Sequence, residues 1–520
     1  MTEPDASTTL DRSAGLLLVA AVFVIAVCGL IYELIAGTIS SYLLGNSVTQ
    51  FSLVIGLFLT AMGLGSFLSK FVRRDLLTAL IAVEISVGAV GGIMGLAGFA
   101  TFATTALYLP VLFGFVGTVG VLVGLEIPLV VRILQELSSL RVNLANVLSA
   151  DYAGALLASL LFPFALLPHM GVVRAGLVMG LMNVLVAGVV LWRFRSAVSR
   201  PRRLAAACGA SAVVLGGALA ASPVLVSWLE TRLYADDIIY ARDTSYQRLV
   251  VTRWRDDVRL FLDGHLQFSS IDEYRYHETL VLPAMGLAEA RRRVLILGGG
   301  DGLAARQVLK FADVEAIDLV DIDPAVTGLF RDTPMLAALN GDAMSDSRLT
   351  VHNEDAMRFV RDGVEPYDVI IIDLPDPSAP GLGRLFSQAF FSLVGRRLTP
   401  GGMIGIQCTS PFRSREAFWC IVHTLEAARW GPEETHRLKV VPYHTLVPTF
   451  GTWGFAVAGT RSPKLPNLPL DVPTRYLTRE ILPGLTTFPA DMAEVDTPVS
   501  HMDDPVVSRL YRRGYHKYLE

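Results

Sequence analysis

Seven carboxylates in the second half of the chain fall where an apolar run gives way to a turn: Asp301, Asp321, Asp323, Glu354, Asp355, Asp373 and Asp376. The stretch around the first of them, RRRVLILGGGDGLAARQVLKFADVEAIDLVDIDP from Arg291 to Pro324, reads as strand, turn, helix, strand. Glycines at a strand-to-helix turn let a nucleotide approach the backbone, and an acid at the next strand end can take ribose hydroxyls. Asp321, twenty positions after Asp301, stands about where that ribose acid belongs. The acid inside the glycine turn is the more informative residue. Asp301 would repel a pyrophosphate, so the pattern points to a cationic ligand, an adenosyl sulfonium or an amine.

The elements that must position these groups follow from local pattern. Val294 to Leu297 and Glu315 to Val320 read as strands around the helical run Leu303 to Phe311, and further strands are expected at Leu349 to Val351, Val369 to Ile372 and Met403 to Ile406. Amphipathic helices are expected over Ser387 to Arg397 and Arg415 to Ala428. Such alternation predicts a mostly parallel sheet covered on both faces, with ligands outside the carboxyl ends of the strands. Upstream, Ser245 to Arg253 and Val258 to Leu262 alternate as a β-hairpin, continued by residues 262–270 into a small antiparallel sheet, and residues 271–285 read as a helix. A single acid at a strand end is often a helix N-cap, a reading open for Asp323, and Asp376 before Pro377 fits a turn cap. Four successive acid-bearing ends describe an acidic pocket of adenosine size. Residues 461–490 are rich in proline and are expected as an irregular, ordered extension.

The first half has a different texture. The 520-residue chain is 52% hydrophobic, with a mean hydropathy of +0.48, and the apolar excess lies in the first 230 residues. A polar tail, 1–14, lacks the features of a secretory signal. Stretches long enough to span a bilayer, for which ~20 residues suffice, are placed near 15–36, 48–69, 76–100, 104–131, 145–167, 171–192 and 204–226. Lys and Arg cluster in alternate connections, from Lys70 to Arg74, at Arg132 and Arg141, and from Arg193 to Arg203, which marks those as cytoplasmic. Glu33, Glu84, Glu126, Asp151 and Arg174 fall within or near spans, as helix-to-helix hydrogen-bonding groups or as a polar pathway. The pairs Gly88-Gly92 and Gly91-Gly95 fit close helix packing. A net charge of −4 makes no case for nucleic acid, and four cysteines make none for a disulfide framework. His169, His423 and His444 have no metal-ligand spacing around them, so no metal site is expected.

Seven stretches, SYQ (245–247), LDGHLQ (262–267), DEYRYHE (272–278), GGGDG (298–302), VDID (320–323), ED (354–355) and DLPDP (373–377), occur in the order and spacing of the spermidine/spermine synthase family. These matches cover about 240 to 460, and the whole chain, with its apolar spans, resembles the membrane-fused branch of these polyamine aminopropyltransferases. The resemblance implies a multi-pass α-helical membrane domain (15–228), a small β subdomain (235–285), a Rossmann-like, class I methyltransferase-like domain (286–460) and a Pro-rich C-terminal extension (461–520). It implies transfer of an aminopropyl group from decarboxylated S-adenosylmethionine, a co-substrate rather than a cofactor, to an amine such as putrescine, at the cell membrane and in a homo-oligomer. By the same resemblance Asp373 is the catalytic base and Asp376 holds the amine beside it. Asp301 takes the aminopropyl ammonium, Asp321 the ribose and Asp355 the adenine amino group. Gln247, Ala356 and Pro380 line the donor side, and Tyr276 and His277 the amine side.

The sequence departs from the family pattern on the amine side. Phe450, in Val447-Pro448-Thr449-Phe450, stands where a tyrosine is common, and Tyr443 is the nearby candidate replacement. The acid expected after the fifth strand is missing from Gln407-Cys408-Thr409-Ser410. Two other functions compete, a class I methyltransferase and a polyamine transporter or sensor. Asp301 and the DLPDP run argue against the first, and the intramembrane acids keep the second in view.

Overall fold

The computed structural model describes residues 12–44, 47–105, 107–135, 139–233, 236–431 and 436–517. Most of the polar tail therefore lies outside the described residues. The chain forms two compact units, Met1–Ile238 and Ile239–Glu520.

The first unit is helical: α1 (Arg12–Leu44), α2 (Ser47–Leu68), α3 (Leu76–Thr104), α4 (Tyr108–Leu134), α5 (Leu140–Leu161), α6 (Leu167–Arg193) and α7 (Pro201–Leu233). Among the described residues, six stretches are long and apolar enough to cross a membrane, one fewer than the seven placed from sequence. The difference lies in α5 and α6, which run on as one 54-residue stretch, Leu140–Arg193. Its backbone departs from helix at Gly171, where φ is 68°, so the boundary read between 167 and 171 is a kink and not a loop. The glycine spacing acts as expected. A Cβ on Gly88 would lie 2.7 Å from the Gly180 carbonyl oxygen, and one on Gly92 would lie 3.2 Å from the Gly180 Cα, so α3 and α6 meet backbone to backbone. Arg174 donates to Ser222 Oγ at 3.3 Å, and Glu84 and Glu126 are both buried.

In the second unit a small sheet comes first, with strands β1 (Asp237–Asp243), β2 (Arg248–Trp254), β3 (Asp257–Leu262) and β4 (His265–Ser269) adjacent in chain order. The expected hairpin is β2 paired antiparallel with β3, and β4 extends it. Helix α8 (Glu273–Leu287) leads into β5 (Arg293–Gly298), α9 (Leu303–Val308), β6 (Ala316–Val320), α10 (Pro324–Asp332), α11 (Pro334–Leu339), β7 (Leu349–His352), α12 (Ala356–Asp362), β8 (Tyr367–Asp373), α13 (Pro380–Gly383), α14 (Gln388–Arg396), β9 (Leu398–Gln407) and α15 (Arg415–Ala427). A two-residue ribbon, β10 (Arg429–Trp430) with β11 (His436–Arg437), precedes β12 (Lys439–Val447) and β13 (Gly451–Gly459). The main sheet runs β12-β13-β9-β8-β5-β6-β7, with the last five strands mutually parallel. The antiparallel pair β12 and β13 was not anticipated from sequence.

Alternation along β5 builds two cores. Leu295 and Leu297 face the layer of Phe390, Phe391 and Phe418, while Val294 and Ile296 face Leu280, Ala305 and Leu482. Runs of Val, Ile and Leu in β5 and β8 are what a parallel strand buried on both faces requires. The extension after β13 is ordered and closes the second core. It carries α16 (Leu482–Leu485) and a helix absent from the sequence reading, α17 (Val506–His516).

Glu278 on α8 is 1% exposed, and its carboxylate accepts from the amides of Arg475, Tyr476 and Leu477 at 2.7, 2.9 and 3.1 Å. This clamp ties the extension to the helix that carries Tyr276 and His277. Glu278→Ala leaves three amides without their acceptor, which is expected to cost about 2–4 kcal/mol. Thermal unfolding of the full chain in detergent should show the second unit melting several degrees lower, and an unchanged melting temperature would remove the clamp from the stability of this unit.

Candidate active site

The crevice lies at the carboxyl ends of the parallel strands, where β5 is flanked by β8 on one side and β6 on the other. Gly298 pairs in register with Asp373 at the end of β8. Its φ is 84°, and a Cβ there would collide with the Asp373 carbonyl oxygen. Cβ atoms on Gly299 and Gly300 would lie 3.1 Å from Asp373 Oδ2 and 2.6 Å from Asp321 Oδ2. The turn is thus wedged between two carboxylates, and only glycine fits there in these conformations.

Asp301 is 9% exposed. Its Oδ1 accepts from the Leu303 amide at 2.9 Å, and Asn340 holds its carbonyl at 2.9 Å. Asp321 accepts from the amides of Gly300 at 3.1 Å and Asp323 at 2.9 Å. Asp323 is the helix cap that the sequence left open. It accepts from the Ala325 amide at 3.0 Å and also from Thr244 Oγ1 and Gln247 Nε2 at 2.8 and 3.1 Å. Gln247, expected on the donor side, therefore joins the small sheet to this strand end. Asp355 caps α12 through the Arg358 amide at 3.0 Å and is paired with Arg384. Ala356 follows it, buried, and Pro380 opens α13, one turn before Arg384.

On the other side, Tyr276 Oη donates to Asp373 Oδ1 at 2.8 Å. His277 Nε2 is 3.9 Å from Asp373 Oδ2. His277 Nδ1 faces two acceptors on Glu273, the carbonyl and Oε2, both at 2.9 Å, so that nitrogen carries a proton. Arg306 clamps both Glu273 oxygens at 2.7 and 2.8 Å. Burial pulls the His277 pKa down, but Glu273, Asp373 and Asp301 outweigh it and the net shift is upward. The surrounding acids thereby favour the charged form of the imidazole beside Asp373. Burial raises the Asp373 pKa, against His277 and Tyr276, which lower it.

Asp376 Oδ2 accepts from Thr409 Oγ1 at 3.2 Å, while its Oδ1 is buried with no hydrogen-bond partner among the described residues. Thr409 is held with a φ of 60°, uncommon for a β-branched residue, and its amide donates to Gln407 Oε1 at 2.9 Å. The segment lacking the family's acid thus supplies a hydroxyl. Phe450 joins Tyr276 and Phe455 in an aromatic wall, its ring centroid 6.1 Å from that of Tyr276. Tyr443 does not replace the missing phenol, because its buried hydroxyl donates to the Thr279 carbonyl at 2.8 Å and its ring stacks on Phe455. It is a core residue. Glu273, Arg306 and Thr409 were missed from sequence. Glu273 lay inside the quoted DEYRYHE run, whereas Arg306 and Thr409 carry no local signal.

Burial, chiefly, lifts the pKa of Asp301, Asp321 and Asp376 to about 6 each. A carboxyl whose folded pKa is raised favours the fold when protonated. Its contribution is complete below the unfolded value of ~3.9 and is lost as pH rises through 6. Asp301→Asn should therefore gain stability relative to the unliganded wild type by about 1–2 kcal/mol between pH 4.5 and 7.5. Paired thermal melts at the two pH values check this, and a difference independent of pH would refute it.

Three comparisons bear on the identity of this site. The spermine/spermidine synthase domain family matches residues 273–466. "Polyamine aminopropyltransferase 1" of Ralstonia nicotianae is 44% identical over 99% of this chain and 98% of its own. The polyamine aminopropyltransferase of Leptospira interrogans is 41% identical over 96% of this chain and 98% of its own. A crystal structure of a spermidine synthase in complex with the transition state analogue AdoDATO is 25% identical, with a TM-score of 0.44, covering 49% of this chain and 86% of that one. With full-length relatives above 40% identity, the chain belongs to the spermine/spermidine synthase family, the polyamine aminopropyltransferases, and is a transferase whose co-substrate is decarboxylated S-adenosylmethionine.

Proposed function

We propose that the protein transfers the aminopropyl group of this donor to putrescine, giving spermidine and methylthioadenosine, with Asp373 as the base. The observation that carries the reading is the setting of Asp373, hydrogen-bonded to Tyr276 and 3.9 Å from His277 Nε2. An alkylammonium cannot attack until it loses a proton, and a buried carboxylate of raised pKa is a stronger base than an exposed one. Asp373 takes that proton. The freed nitrogen lone pair forms a bond to the aminopropyl carbon next to sulfur. The carbon–sulfur bond breaks with its electrons going to sulfur, so the sulfonium becomes the neutral thioether of methylthioadenosine and the nitrogen a secondary ammonium.

The remaining residues divide between the two reactants. Asp301 receives the donor's aminopropyl ammonium and disfavours a carboxylate in its place, which selects the decarboxylated donor. Asp321 takes the ribose hydroxyls, and Asp355, Ala356, Gln247 and Pro380 bound the adenosyl side. Asp355 would exchange its pairing with Arg384 for the adenine amino group. Tyr276, His277 and Asp376 bound the amine. Orientation of two bound reactants supplies the rest of the rate.

The first unit, in this reading, spans the cell membrane. Large apolar side chains on its outside support this, among them Phe164, Trp192 and Val213 at 76%, 72% and 75% exposure. A 54-residue helical stretch would reach ~80 Å if straight, far beyond a hydrocarbon core of ~30 Å. The kink at Gly171 then separates two crossings, which restores the count of seven.

Purified full-length protein given decarboxylated S-adenosylmethionine and putrescine should release methylthioadenosine and spermidine. Asp373→Asn should lower kcat by ~100-fold or more while donor binding changes little. Turnover retained in that variant would remove Asp373 as the base. The chain should also stay with membranes through an alkaline carbonate wash, and its release would overturn the spanning reading.

A further inference from the structure

Helix α17, near the end of the chain, lies beyond the residues matched by the family domain, which end at 466. It packs across the two loops that flank Asp376. Ser508 Oγ donates to the Ala379 carbonyl at 3.1 Å, and Ser414 Oγ meets the Leu510 and Tyr511 carbonyls at 3.3 and 3.4 Å. Gly383 and Gly514 make the approach possible, since a Cβ on Gly383 would strike Ser508 Oγ and one on Gly514 would lie 2.6 Å from the Ser414 Cα. Tyr511 and Tyr515, four residues apart on one face, are brought together with ring centroids 4.5 Å apart. Tyr511 and Tyr515 lie near enough to Asp376 that its carboxylate raises the pKa of both phenols.

Resting on the aminopropyltransfer reading above, we propose that Tyr511 and Tyr515 form, with Asp376, the seat for the distal ammonium of the acceptor amine, and so determine which amine the enzyme accepts. An alkylammonium has three N–H donors and no acceptor, and is drawn to carboxylate oxygens and to aromatic faces. Asp376 Oδ1 is buried without a hydrogen-bond partner among the described residues, so an acceptor is in place. The two phenols supply further oxygen lone pairs and ring faces at the same spot. The phenol missing at Phe450 and the acid missing after β9 are thereby replaced from another part of the chain: Thr409 orients Asp376, and α17 supplies the aromatic and hydroxyl groups. A length-selective acceptor site needs such a fixed far end, because the near amine is held at Asp373.

The test is steady-state kinetics on the full chain in detergent, with saturating decarboxylated S-adenosylmethionine and 1,3-diaminopropane, putrescine, cadaverine or spermidine as acceptor. Tyr511→Phe and Tyr515→Phe keep the rings and remove one hydroxyl each. Each should raise the KM for the preferred amine about 5- to 10-fold, leave the donor KM within twofold, and narrow the preference between chain lengths. Tyr511→Leu, which also removes the ring, should raise the amine KM further. Should Tyr511→Leu lose its thermal transition, the two phenylalanine variants carry the test. Amine KM values within twofold of wild type in both phenylalanine variants would overturn the proposal, as would donor and amine KM rising together. Wild-type protein that releases no methylthioadenosine with any of the four amines overturns the aminopropyltransfer reading itself, and this proposal with it. Normal wild-type turnover with unaffected variants overturns the seat alone.

Discussion

The desolvation of buried carboxylates is the constraint on which the second unit depends. Asp301, Asp321, Asp373 and Asp376 converge at neighbouring strand ends, and burial raises the pKa of every one of them. The fold tolerates them through backbone amides aimed at Asp301 and Asp321, and through His277 beside Asp373. Glu273, held in place by Arg306, stands behind that histidine and favours its charged form. The unliganded site therefore holds a deficit of positive charge, which a cationic sulfonium and an ammonium are suited to fill.

The glycine turn answers to the same constraint. Gly298, Gly299 and Gly300 pass between Asp373 and Asp321 so closely that side chains there would strike one or the other. The turn brings no anion-binding nest to the site without also bringing Asp301. The strand-turn-helix geometry of a nucleotide cradle here carries an acid in its turn, which favours a cationic over an anionic ligand.

The two halves of the crevice are built differently. One group is local: Asp301, Asp321 and Asp355 follow successive strands of one α/β run, and backbone amides hold each of them. The group around Asp373 and Asp376 is assembled from distant segments. Tyr276 and His277 come from α8, Asp376 from the loop after β8, Thr409 from the end of β9, Phe450 from the β12–β13 turn and Tyr511 from the last helix. Such a half can change its chemistry by exchanging one contributing segment and leaving the sheet alone.

Strand ends, acids, glycines and the buried character of β5 and β8 were legible in the sequence because each is written in a short window. Apolar runs of four to six residues bounded by Gly and Asp mark the parallel strands, and the long apolar stretches mark the helices of the first unit. Three readings needed the tertiary structure. Tyr443 looked available until its hydroxyl was seen on the Thr279 carbonyl, inside the core. Gln247 and Asp355 looked free for a ligand, yet they are engaged with Asp323 and Arg384. The partners of Asp376 lie up to 135 residues away along the chain, as Tyr511 does. Spacing along a sequence records which groups share a strand end or a helix face. Which hydroxyl reaches which carboxylate across the sheet is decided only when the packing of helices and loops closes the distance, and no local pattern encodes that.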